Sequence, residues 1–238
     1  MKVLAMAAIT ELGKEEITNM VCSIWEPLSA AQRRLIGQHL SFKQFKKNEL
    51  IYKEDEQPLQ MMCLIQGKVK IFKEGMGRCQ IVRVVRPQEM FGYSAFFAHE
   101  CYKTNAMAFE SSIVAFIPMN IITHLMRDCH TLTQTIIAQL STELGKSDDR
   151  IINLTQKHIR GRLAEALIFL KDYYGVTDDR CTLNISLSRE DLANLSNMTT
   201  SNAIRTLSTF ASENLVAIDG RKIKILKEKE LVKISKNG

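Results

Sequence analysis

All four prolines, Pro27, Pro58, Pro87 and Pro118, precede residue 119, and none follows. Proline fixes φ, removes a backbone donor and breaks helices and central strands. The stretch from Met119 onward is therefore free to form long helices, while the stretch before it is punctuated. Phenylalanine divides the same way, with eight of ten between Phe42 and Phe116, and aromatic residues favour strands. The 238 residues read as two compositionally different parts, within the size range of one or two domains. Apolar residues at 45% and charged residues at 24% supply a core and exclude wholesale disorder or a collagen-like repeat. No apolar run approaches the roughly 18 residues needed to span a bilayer. Val3 to Ile9, after the single Lys2, reaches only the minimum length of a signal core and ends in Thr10-Glu11-Leu12, so a signal peptide is not expected.

The part before residue 119 has the period-two pattern of strands. Met62 to Gly67 leads into Lys68-Val69-Lys70-Ile71-Phe72, where charged and apolar residues alternate. Gly75-Met76-Gly77 marks a turn before Gln80 to Val85, and a further strand runs from Ser112 to Ile117. Short strands with glycine-bearing turns predict a β sandwich or roll. From Met119 to Leu154 a single long helix is expected. Within it Ile137, Leu140, Leu144, Ser147, Ile151 and Leu154 step by 3-4-3-4-3, the a/d seam of a coiled coil. That seam predicts a parallel homodimer, with Ser147 a polar break in it; the competing reading lays the helix on its own β domain.

From residue 155 the pattern is helices followed by a hairpin. His158 to Tyr174 is amphipathic, with Leu163, Ala166, Leu167 and Leu170 on one face. Ser188 is an N-cap for Arg189 to Leu195, and Thr199 or Thr200 caps a second helix whose buried face is expected to hold Ala203, Ile204 and Leu207. Asp219-Gly220-Arg221 joins Leu215–Ile218 to Lys222–Ile225 in a tight hairpin. Two short helices across a three- or four-residue turn, then a basic hairpin, describe a winged helix-turn-helix. Charge agrees: Gly220 to Gly238 holds seven Lys and Arg against two Asp and Glu, most of a net charge of +6, a surplus suited to nucleic acid.

These motifs resemble the cyclic-AMP receptor protein/FNR (Crp/Fnr) family of bacterial transcription regulators. The resemblance runs from about Ile24 to Leu226. It is carried by Leu64-Ile65-Gln66-Gly67-Lys68-Val69, Phe91-Gly92, Leu187 to Ala193, Thr199 to Arg205, Asn214-Leu215 and Asp219 to Ile223. It implies an α+β chain of three parts: N-terminal helices and a cyclic-nucleotide-binding-like β-roll over 1–118, a dimerisation helix over 119–154, and a winged helix-turn-helix over 155–238. It also implies a cytoplasmic homodimer that binds double-stranded DNA at a near-palindrome and works with RNA polymerase, away from membranes. Whether it is an activator or a repressor is set by where its site lies in a promoter. Ser188 and Arg189 match phosphate-contacting positions, and Thr199, Thr200, Ser201, Asn202 and Arg205 match the recognition helix. Arg205 matches the base-reading arginine, able to grip a guanine edge with two hydrogen bonds, and Arg221 and Lys222 on the wing match phosphate contacts. Ser201 replaces a base-reading glutamate, and Thr200 a position often long or basic, so a half-site unlike those of the founding members is expected.

The effector site is where the chain departs furthest from the family. A cyclic nucleotide would be held by a Gly-Glu pair and an Arg-Ser pair; here Gly92 is followed by Tyr93, and Lys103-Thr104 stand at the second pair. Asp148 falls near the base-facing position, where a carboxylate opposes a phosphodiester. A cyclic nucleotide is therefore not expected. The six cysteines, Cys22, Cys63, Cys79, Cys101, Cys129 and Cys181, are scattered without a CxxC. That reads as reduced and cytosolic and argues against an iron–sulfur cluster, since only Cys22 is N-terminal. His99 and Cys101 alone do not specify haem, and His124 and His130 are not on one helical face, so no metal site is expected. The effector, if the β domain takes one, is an unidentified small molecule. No GxSxG, GxxxxGK[ST] or HExxH motif occurs, and no enzymatic activity is expected. The alternative reading is a ligand-sensing regulator acting through protein contacts with a degenerate helix-turn-helix.

Overall fold

A computed structural model of the chain describes residues 13–75 and 77–237; the Val3–Ile9 run lies outside them. The chain divides into two compact units. The first holds residues up to Lys73 together with Arg83–Glu143, and the second Glu74–Val82 with Leu144 onward.

In the first unit, helices α1 (Lys14–Ser23) and α2 (Ala30–His39) precede the strands. Helix α2 opens with a capping box in which Ser29 and Gln32 each accept the other's backbone N–H, at 3.2 and 2.8 Å. The strands are β1 (Ser41–Phe45), β2 (Leu50–Tyr52), β3 (Gln60–Gln66), β4 (Val69–Gly75), β5 (Arg78–Val85) and β6 (Met90–Phe91). After the single-turn α3 (Ser94–Phe97) come β7 (Asn105–Ala108) and β8 (Ser112–Pro118). They form two four-stranded sheets, β1-β8-β3-β6 and β2-β7-β4-β5, the roll that the strand pattern predicts; the tip of the β4–β5 hairpin belongs to the second unit.

Strand β3 is buried on both faces, and its alternation divides two cores. Met62 and Leu64 face an interior cluster with Phe45, Tyr52, Ile71, Phe91 and Tyr102. Met61, Cys63 and Ile65 face a second cluster beneath α1 and α2, with Ile17, Trp25 and Ile36. A strand covered on both faces reads as a continuous apolar run, which is why Met61 to Ile65 lacks polar breaks. The turn from β3 to β4 requires glycine. Gly67 has φ +93°, and a Cβ there would lie 2.7 Å from the Ser111 carbonyl oxygen.

The single helix expected over 119–154 is two helices, α4 (Met119–Asp128) and α5 (His130–Gln156). Between them Cys129 is extended (φ −124°, ψ 92°) and buried in the second core. The Thr133 hydroxyl donates to the Met126 carbonyl at 2.9 Å across the break. The first unit then ends inside α5, at Glu143, because Leu132 and Ile136 are buried in the first unit's core and Leu140 packs against it.

The second unit contains α6 (Ile159–Tyr174), α7 (Arg189–Leu195), α8 (Thr200–Ser212), the hairpin β9 (Val216–Asp219) and β10 (Lys222–Ile225), and α9 (Glu228–Asn237). Its interior is lined by Leu163, Leu167, Leu170, Leu192, Ala203, Leu207, Phe210 and Ile223. The basic end beyond the hairpin, which the sequence analysis did not assign to any element, forms helix α9: Leu231 is fully buried, and Lys171 pairs with Glu228. Part of the basic surplus therefore decorates a packed helix. Among the described residues no helix is long and apolar enough to cross a membrane.

Candidate nucleic-acid interface

The geometry starts at Ser188. Its hydroxyl accepts the Asp191 N–H at 2.9 Å and donates to the Asp191 carboxylate at 2.6 Å, fixing the start of α7. The helix ends in a tight turn. Met198 N–H returns to the Ala193 carbonyl at 3.0 Å, and the buried Ser196 hydroxyl donates to the Leu192 carbonyl at 2.5 Å. Asn197 takes the left-handed conformation (φ 50°), which asparagine tolerates better than most residues. Thr199, not Thr200, caps α8 by accepting the Asn202 N–H at 3.2 Å. Ser188 and Thr199 thus serve the fold directly, by shaping the motif.

Helix α8 buries Ala203, Leu207 and Phe210 and exposes Thr200, Ser201, Ile204, Arg205 and Ser208. Arg160 holds its far end by pairing with Glu213, its guanidinium carbon 4.9 Å from the centre of the Phe210 ring. The Arg205 guanidinium donates to Asn202 Oδ1 at 2.7 Å, so a donor-rich plane and an amide share the open face. The expectation for Ile204 needs correction: it is 47% exposed. At about 100° per residue it lies roughly 90° around the helix from the centre of the buried face, and the packing leaves it on the Arg205 side.

The wing meets this motif at one bond. Gly220 turns the β9–β10 hairpin in the left-handed region (φ 56°), and its carbonyl accepts from Arg189 at 2.8 Å. Arg189 is thereby tied to the turn that carries the exposed Arg221 and Lys222. Sequence reasoning did not single out Arg150 in α5. Its half-buried guanidinium donates to the carbonyls of Val82 (2.8 Å), Ile81 and Leu195 (3.2 Å), joining the hairpin tip and the last residue of α7 to the long helix. Desolvation lowers its pKa, with Glu165 acting in the opposite sense. No local pattern could have found it, because its partners are 45 to 69 residues away in sequence.

Along α5, Ile137, Leu144 and Ile151 are 57%, 65% and 58% exposed, Ser147 is exposed, and Leu140 and Leu154 are half-buried. Leu132 and Ile136 are buried against the β domain, whereas Ile137, Leu144 and Ile151, spaced by seven, are exposed.

Of the expected effector residues, Gly92, Tyr93, Lys103 and Thr104 lie in the first unit. Tyr93 is 1% exposed and faces the second core, 6.3 Å edge-on to Phe97, and its hydroxyl has no hydrogen-bond partner among the described residues. Burial raises its pKa, with Glu143 adding to the effect. The Lys103 ammonium is exposed beside Glu100 at 3.6 Å, and the Thr104 hydroxyl lies 3.4 Å from Tyr52 Oη. Tyr52 and Tyr102 stack at 3.9 Å inside the roll, and Tyr102 donates to the Gly92 carbonyl at 3.0 Å. Tyr52, Phe91 and Tyr102 are all buried in the cluster inside the roll. Asp148 is exposed in the second unit. Cys22, Cys63 and Cys129 are buried, and burial raises the Cys22 thiol and pushes Cys63 up to about 12, which disfavours thiolate ligation.

Two family models match the chain: a cyclic nucleotide-binding domain over residues 42–129 and a Crp-like helix-turn-helix domain over residues 161–234. The Electron transport regulator A of Shewanella oneidensis is 25% identical over 191 residues, covering 79% of this chain and 76% of its own. The fumarate and nitrate reduction regulatory protein of Vibrio cholerae is 23% identical, covering 81% and 78%. Among solved structures, FixK2 from Bradyrhizobium japonicum superposes with a TM-score of 0.74 at 20% identity, over 82% of this chain and 96% of that one. The c-di-GMP responsive regulator CLP from Xanthomonas campestris superposes with a TM-score of 0.73 at 17% identity, over 83% and 99%. These likenesses share the fold described above.

Proposed function

Because the chain belongs to the Crp/Fnr family of DNA-binding transcription regulators, we propose that it works as a homodimer on a near-palindromic duplex, with α8 in the major groove of each half-site. The exposed face of α8 carries this reading. Ser201 and Arg205 stand opposite the buried Ala203, Leu207 and Phe210, with Thr200 exposed at the start of the helix and Asn202 accepting from Arg205. Arg205 reads a base edge, Ser201 reaches less far than a carboxylate, and Arg189, Arg221 and Lys222 neutralise phosphates around the wing. The dimer forms along Ile137, Leu144 and Ile151, and RNA polymerase in the bacterial cytoplasm is the further partner. Effector control of the β domain, where it operates, uses chemistry other than a cyclic nucleotide.

Duplex binding as a function of salt tests the reading. Three phosphate-neutralising side chains per protomer amount to about six phosphates per dimer, giving a slope of log affinity against log salt of about −5. A flat response would favour a protein-contact regulator instead. On the same duplex Arg205→Ala is expected to weaken binding by about 1–3 kcal/mol and relax preference at one base pair. Unchanged sequence preference in a randomised-site selection would remove Arg205 from base reading.

A further inference from the structure

Ile204 is the residue on the reading face that hydrogen-bond logic leaves without a task. It is 47% exposed, next to Arg205 and three residues after Ser201, whereas Ala203, Leu207 and Phe210 of the same helix are 0–1% exposed. Its neighbours on that face are hydroxyls and a guanidinium, none of which screens four aliphatic carbons from water. In a major groove the apolar surface at the base edge is the thymine 5-methyl group. Cytosine, adenine and guanine offer donors and acceptors there instead, and an isoleucine would desolvate these without replacing their hydrogen bonds.

Resting on the DNA reading above, we infer that Ile204 is a specificity residue that reads a thymine methyl in the half-site, beside the base pair read by Arg205. The pairing of a guanidinium with an adjacent branched aliphatic residue sets two neighbouring preferences by different physics. Arg205 selects guanine by hydrogen bonding, and Ile204 selects thymine by excluding water from two apolar groups. The loss of the family's glutamate at Ser201 fits this division, because a short hydroxyl leaves room beside Ile204 for the methyl.

The test uses the full chain and a duplex chosen by selection from random sequence. Each thymine of the half-site is then replaced in turn by uracil, which removes the methyl and leaves base pairing intact. Wild-type binding is expected to fall about fourfold at one position, as one methyl group returns to water. Ile204→Ala is expected to bind thymine and uracil equally there, while Ile204→Val keeps the discrimination. Since residue 204 is surface-exposed, both variants should fold, and circular dichroism checks this. Uracil tolerated at every position by the wild type, or discrimination unchanged in Ile204→Ala, overturns the assignment alone. Failure of the wild type to select any duplex overturns the DNA reading and this inference with it.

Discussion

Replacing Leu144 and Ile151 together by aspartate is expected to leave a folded monomer that no longer binds its palindromic duplex at concentrations where the wild type is saturated. Both side chains are more than half exposed on α5, at 65% and 58%, so the protomer loses little of its own packing. In a parallel pair each meets its symmetry mate, and burying a leucine or isoleucine contributes about 1.5–3 kcal/mol. Two such positions on each chain, replaced by carboxylates that repel across the twofold axis, remove at least about 4 kcal/mol, roughly a thousandfold in the dimer dissociation constant. Duplex affinity falls further, because two half-sites then bind independently rather than as a linked pair. Sedimentation and a mobility-shift titration on one sample check both effects. A variant that remains dimeric moves the interface elsewhere; a wild-type monomer bound to DNA removes it.

Arg150→Ala is expected to weaken both fold and DNA binding without touching DNA. The guanidinium serves three backbone carbonyls, at Ile81, Val82 and Leu195. Hydrogen bonds to a charged group contribute about 1.5–3 kcal/mol in total stability when one partner is lost and the others must find water. For a chain of this length that lowers the melting temperature by roughly 4–10 °C. The Leu195 carbonyl ends α7, immediately before the turn that aims α8, so hydrogen exchange should rise at Ser196–Met198. Duplex affinity should drop about tenfold, as expected when the recognition helix is no longer held in one orientation. Arg150→Lys keeps the charge but not the fork and should recover only part of either loss. A variant with lowered stability but unchanged exchange in the turn would show that Arg150 does not position the motif.

Much of the DNA-facing motif was legible because its signals are local. Ser188 and Thr199 are caps within three residues of the N–H groups they accept, Gly220 is at the centre of its turn, and the buried positions of α8 recur at helical spacing. The strand pattern around β3 was legible for the same reason, since alternation is a property of neighbouring residues. The break at Cys129 was not, because no proline or glycine marks it; the extended Cys129 backbone comes with the burial of its side chain in the second core. Helix α9 was hidden by its lysines, whose stems are compatible with either a tail or a helix; the burial of Leu231 settles it.

Local signals were enough for the strands around β3, the Ser188 cap, the two helices of the helix-turn-helix and the hairpin after them, because backbone hydrogen bonding and side-chain periodicity act over a few residues. Tertiary structure alone decided the outcomes at boundaries. Ile204 stands about a quarter-turn from the buried face, where packing and not period assigns the side. Tyr52 and Tyr102, fifty residues apart, stack inside the roll at 3.9 Å only because the fold brings them together. Arg150 finds its carbonyls across two other elements. The proline boundary separated the strand-rich part from the helix-rich part, but α5 continues through the division between the two units at Glu143, because the residues of its first turns are buried with one unit while those of its later turns are not.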